Sequence, residues 1–164
     1  MPIVNVDAKS LEWCTYLFLS QDKVGIEEWN AVVADPKTND IHTANQNAFK
    51  LPSRLIAKVF LFRAIYRGTA FAYSRDPDFV HVSKSVDFWQ GVIDNFYRKY
   101  KGLASCHMRY IKEATTTGKL TSPLDVSITI HQSKTGVEIW YSQNQTSQTG
   151  LIRVVVQMLW LWRE

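Results

Sequence analysis

Leu51-Pro-Ser-Arg-Leu-Ile-Ala-Lys-Val-Phe-Leu-Phe-Arg-Ala-Ile-Tyr-Arg-Gly68 is the stretch that organises this chain. Pro52 suits the first turn of a helix and Gly68 its end. Within it Arg54, Lys58, Phe62 and Tyr66 recur every four residues. On an α-helix that spacing makes a slowly winding comb, roughly 18 Å long at about 1.5 Å per residue. Two cations followed by two rings suit a ligand bearing phosphates and a base. The plainer alternative is that the rings are core and the cations a solvated edge.

Upstream, Pro2-Ile-Val-Asn-Val-Asp7 is apolar and β-branched, which predicts a buried strand over about 2–7 that delivers Asp7 at its tip. A carboxylate at a strand end is a common ligand for a hard cation such as Mg2+, and equally a helix N-cap. Glu12 follows five residues later, on the first turn of a helix predicted over about 10–20.

Taken together, these blocks resemble the family A (polymerase I-like) DNA polymerases of phages and bacteria. Motif A of that family is an Asp at a strand end, a Glu five residues on and an Arg two beyond. Asp7 and Glu12 match, and Cys14 stands where the Arg is expected. Motif B is Arg-x3-Lys-x3-Phe/Tyr-x3-Tyr, matched by Arg54, Lys58, Phe62 and Tyr66, with Arg63 in place of the usual Gly and the next Gly displaced to Gly68 by Arg67. Asp40-Ile-His42 looks like the family's Asp-Ile-His block. Phe96-Tyr-Arg-Lys-Tyr100-Lys-Gly102-Leu looks like its Tyr/Phe-x-x-Tyr-Pro-Gly-Val segment. The likeness runs from about Pro2 to Pro123.

The resemblance implies partial palm and fingers over 1–123 and template-directed DNA synthesis, with primer-template DNA and a dNTP as partners and Mg2+ as cofactor. It implies that Asp7 is the catalytic metal ligand, since two metals clamp the attacking and departing oxygens of an in-line displacement. Arg54 and Lys58 would hold the nucleotide's phosphates, Phe62 would pack on its sugar and base, and Tyr66 would stack near the template base. Glu12 would lie beneath the sugar and exclude a 2′-hydroxyl. The family's motif C is a His-Asp pair, and no His-Asp occurs in this chain. One Asp does not position two metals, so the chain is expected to be an incomplete and inactive piece.

After Pro123 the likeness stops. Residues 124–164 form an atypical tail with β-branched and Ser/Thr/Gln-rich stretches. It reads either as a β-rich hairpin or as a frame-shifted remnant. A one-base shift permits Thr-Gly-Arg in place of Leu-Asp-Val, continuing Leu-Thr-Ser-Pro as the family does. Codon degeneracy permits that reading without requiring it, and the coding DNA tests it.

Composition sets outer bounds. With 164 residues, 46% of them hydrophobic, the chain can bury one modest core. A net charge of +4 mildly favours polyanions, and the alternative class is a non-catalytic basic module that binds nucleic acid or nucleotide. Cys14 and Cys106 are isolated, which argues against a zinc site or disulfide framework, and His42, His81, His107 and His131 lack metal-ligand spacing. No signal peptide and no apolar run of ~20 residues is present, so a cytoplasmic location, that of the host for a phage protein, is expected.

The remaining local signals are coarser. Val24–Trp29 reads as a short connector or the start of a helical turn, 35–40 as a loop, 41–49 as a helix. Val86–Lys101 carries an apolar stripe of Phe88, Trp89, Val92, Ile93, Phe96 and Tyr97. Gly102 is expected to interrupt, with a further helix to about Ala114 and a turn at 115–119. The expected class is α+β, mainly helical.

Overall fold

Ser53 has extended backbone, and its hydroxyl accepts from the N–H of Ile56. That cap starts the comb helix at Arg54 and leaves Pro52 outside its first turn. At the other end Arg67 sits at φ 61°, the Arg67 N–H donates to Ala64 O (3.0 Å), and the Gly68 N–H donates to Arg63 O (2.8 Å). This is a Schellman closure with arginine at the left-handed position that usually takes glycine. Gly68 is small for another reason: a Cβ there would lie 2.9 Å from the Tyr73 hydroxyl.

This computed structural model describes residues 10–121 and the strand backbones at 127–133 and 136–141. Seven helices occur in them: α1 (Leu11–Ser20), α2 (Lys23–Ala34), α3 (Ile41–Phe49), α4 (Arg54–Ile65), α5 (Ala70–Arg75), α6 (Val86–Lys99) and α7 (Lys101–Thr117). A small antiparallel sheet, β1 (Lys119–Thr121), β2 (Ser127–Ser133) and β3 (Gly136–Tyr141), follows in the order β1-β2-β3. Leu120 pairs with Ile128, and Ile130 with Ile139. The chain is therefore a mainly helical α+β protein, as its periodicities predict. The expected strand at 2–7 lies outside the described residues.

Side-chain caps explain most helix starts. Asp22, Asp40, Thr69 and Ser85 each accept from the backbone N–H three residues on, at Gly25, Thr43, Ala72 and Phe88. The Asp22 cap is why Val24–Trp29 is not a connector but begins a helix, one that runs for 12 residues. At α7 the threonines at 115–117 stay helical, their hydroxyls bonding carbonyls of the preceding turn, and Gly118 ends the helix at φ 65°.

The expectation for Gly102 needs correction. The break between α6 and α7 falls at Tyr100, and Gly102 lies inside the first turn of α7. Its lack of a side chain lets that turn approach the Asp22 cap, and the Gly102 N–H donates to Asp22 Oδ2 at 2.6 Å.

Aromatic rings fill the core. Phe60 of α4 meets Phe49, Tyr73, Trp89 and Phe96 at centroid distances of 5.2–6.4 Å. Each such pair adds about 0.5–1.5 kcal/mol beyond its area. Trp89, Val92, Ile93 and Phe96 are buried as the α6 stripe predicts, whereas Phe88 is 39% exposed and only edges Trp89. A polar knot crosses this core. Lys99 Nζ donates to Glu28 Oε1 (2.7 Å) and to Asn45 Oδ1 (2.8 Å), and the Tyr100 hydroxyl lies 2.7 Å from both Glu28 Oε2 and Asn45 Oδ1. It fastens α2 and α3 to the α6–α7 junction.

Candidate functional site

The buried face of α4 is Ile56, Ala57, Phe60, Leu61, Ala64 and Ile65. Arg54 and Lys58 are exposed, and Phe62 and Tyr66 are half-buried. The comb thus runs beside the core stripe and not within it. Phe60, two residues from Phe62, takes the central packing position.

Phe62 lines a shallow hollow of about 10 Å3, open to solvent on one side. Its walls are Ser10 and Trp13 at the start of α1, Ile41 and His42 at the start of α3, and Leu61, Phe62 and Ile65 of α4. Two wall residues carry a buried ring nitrogen with no hydrogen-bond partner among the described residues, Trp13 Nε1 and His42 Nδ1. Buried polar atoms nearly always find partners, so these two call for a water or a ligand group.

Charges bear on one of the hollow's wall residues, His42. Arg54 makes a two-point ion pair with Asp40, Nε to Oδ2 and Nη2 to Oδ1, both 2.7 Å. The Arg54 guanidinium holds the Asp40 carboxyl well below the usual carboxylate range, helped by the bonds from Thr43. Burial lowers the pKa of His42; Asp40 opposes that shift, while the charges of Arg54 and Lys58 add to it. Lys58 makes no ion pair among the described residues. The charges of Asp40, Arg54 and Lys58 therefore all bear on His42.

The other expected residues are placed as follows. Tyr66 caps the end of α4 and does not line the hollow; its ring stands edge-on to Tyr16 at 6.3 Å. Glu12 is half-buried in the first turn of α1. Asp7 lies outside the described residues, three positions before Ser10. Arg63, where the motif B pattern has Gly, pairs with Asp76 and Asp78 and lies 4.9 Å from the Phe79 ring. These contacts brace the α5–α6 loop.

Behind the hollow, His107 is 2% exposed. Its Nε2 lies 3.1 Å from Ile65 O and its Nδ1 lies 3.0 Å from the Tyr97 hydroxyl. A carbonyl only accepts, so Nε2 carries the proton and Nδ1 accepts from Tyr97. The ring thereby anchors the last turn of α4. Sequence reasoning missed Trp13 and Asp40 as site neighbours and could not separate His42 from His107. The one available signal was the Asp-Ile-His run itself, which puts a cap and a wall residue at one helix start.

No group of three metal-ligating side chains converges among the described residues. They do not form a Mg2+ site, so no metal-dependent step is derived from them. No protein-family model matches this sequence, and no curated protein matches it.

Proposed function

We propose that this chain is a palm-and-fingers portion of a family A DNA polymerase that binds deoxynucleoside triphosphate and primer-template DNA. The reading is supported chiefly by one juxtaposition: Phe62 and His42 line a single hollow, and the charges of Arg54 and Lys58 act on His42. In this reading the two cations meet the triphosphate. Charge-assisted contacts to phosphate are roughly twice as strong as neutral ones. Phe62 offers a ring face to the sugar and base, and the start of α1, carrying Glu12, borders the sugar. Whole enzymes of this kind attach the nucleotide to a primer 3′-hydroxyl with Mg2+ held by carboxylates, Asp7 among them. Without a His-Asp pair, this chain alone is proposed to bind and not to polymerise. A cytoplasmic location, that of a host for a phage protein, goes with the proposal; among the described residues no helix is long and apolar enough to cross a membrane.

Calorimetric titration with dTTP tests the reading. Lys58→Ala and Arg54→Ala are each expected to weaken binding about tenfold or more, the loss of one hydrogen-bonded charge. Unchanged affinity in both variants, with duplex DNA binding that falls steeply with salt, would instead identify a general basic module.

A further inference from the structure

Asp40 stands where an incoming anion would stand. Its two oxygens accept from Arg54 Nε and Nη2, from the Thr43 N–H at the start of α3 and from the Thr43 hydroxyl, all within 2.7–2.8 Å. Those are the donors a phosphate would seek: a guanidinium fork, a helix N-terminus and a hydroxyl. His42 follows two residues later and senses both Asp40 and the Arg54 and Lys58 charges.

We infer that Asp40 is an internal competitor that sets the affinity of this cluster for a polyphosphate, by occupying the Arg54 fork until the ligand takes its place. The inference rests on the nucleotide reading above. Exposure makes the exchange feasible: the Arg54 and Asp40 side chains are 56% and 34% exposed. The pair is two-point but largely exposed, so solvent screens it, and a polyphosphate carrying several charges competes with one carboxylate. An orienting role, in which Asp40 merely aims Arg54, predicts the opposite sign on removal of its charge.

The test uses Asp40→Asn in the full chain. Asparagine is as good an N-cap as aspartate, so α3 keeps its start while the anionic partner of Arg54 is lost. Titration with dTTP at fixed ionic strength is expected to show about two- to fivefold tighter binding, the reach of one exposed ion pair. Asp35→Asn is the control. That exposed carboxylate bonds Thr38 and the Lys37 N–H on the same loop and touches no cation, and its removal is expected to leave affinity unchanged. Equal or weaker binding by Asp40→Asn overturns the inference, as does an equal gain from Asp35→Asn, which would mark a general field effect. Failure of the nucleotide reading itself shows separately, as indifference to Arg54→Ala and Lys58→Ala. A circular-dichroism melt of each variant confirms that the helices persist.

Discussion

Gly102→Ala is expected to destabilise the chain by about 2–4 kcal/mol, a loss typical of overpacking combined with a broken buried hydrogen bond. An added Cβ would lie 2.7 Å from Asp22 Cα, 2.8 Å from Asp22 Oδ2 and 2.9 Å from Asp22 Cβ. These atoms have no room to retreat. Asp22 is 3% exposed, its Oδ1 accepts from the Gly25 N–H, and its Oδ2 accepts from the Gly102 N–H. Separating the two segments breaks the Gly102 bond and strains the α2 cap together. A melt followed at 222 nm should fall by about 5–15 °C. A shift below about 2 °C would show that α7 does not need this close approach. Gly91→Ala supplies the contrast: nothing lies within 4 Å of its added Cβ, and the position is exposed in mid-helix. It is expected to raise stability by about 0.5–1 kcal/mol, through helix propensity alone.

Acidification should loosen the protein through His107. Burial, and then the nearby Arg67 charge, push its pKa from 6.5 down to about 4, while the bond to Ile65 O resists the shift. In the unfolded chain the ring takes up its proton near pH 6.5; in the folded chain it resists until about pH 4. The unfolded state thus binds more protons between those values. Stability is complete above pH 6.5 and declines as pH falls through the window, by about 3 kcal/mol in total. Protonation puts a second N–H at Nδ1, which faces the Tyr97 hydroxyl that now donates to it. His42 leans in the same direction, since burial also lowers its pKa. The carboxylates Asp40 and Asp76, held low by Arg54 and by Arg63, titrate further down. Urea midpoints taken from pH 8 to pH 4 should decline across this range, and His107→Gln should flatten much of the decline. An unaltered slope in that variant would remove His107 from the account.

What the sequence made legible is what local chemistry dictates. Pro52 and Gly68 bracket the comb helix, whereas the Asp22 cap went unread and most of α2 with it. Trp89, Val92, Ile93 and Phe96 announce a buried face because their spacing matches one helical turn. Phe60 and Phe62 could not be ranked in advance: both are rings on one apolar helix, and only the partners across the core decide which is enclosed. α5 went unread because six residues give too short a period to recognise. Contacts that span the chain were equally silent. Asp40 meets Arg54 across 14 residues, and Asp22 meets Gly102 across 80. Glycine at 102 looked like a breaker because its value lies in what approaches it, which no local rule contains. As for the candidate site, the comb was legible as a periodic row, while the hollow beside it depends on how three helices converge.

The knot of Lys99, Glu28, Asn45 and Tyr100 constrains how such a sequence can drift. Losing the ammonium group alone would leave a half-buried carboxylate without its cation, and losing the carboxylate would leave the ammonium without its anion. Paired replacements joining 28 with 99 are the pattern that kindred sequences should carry.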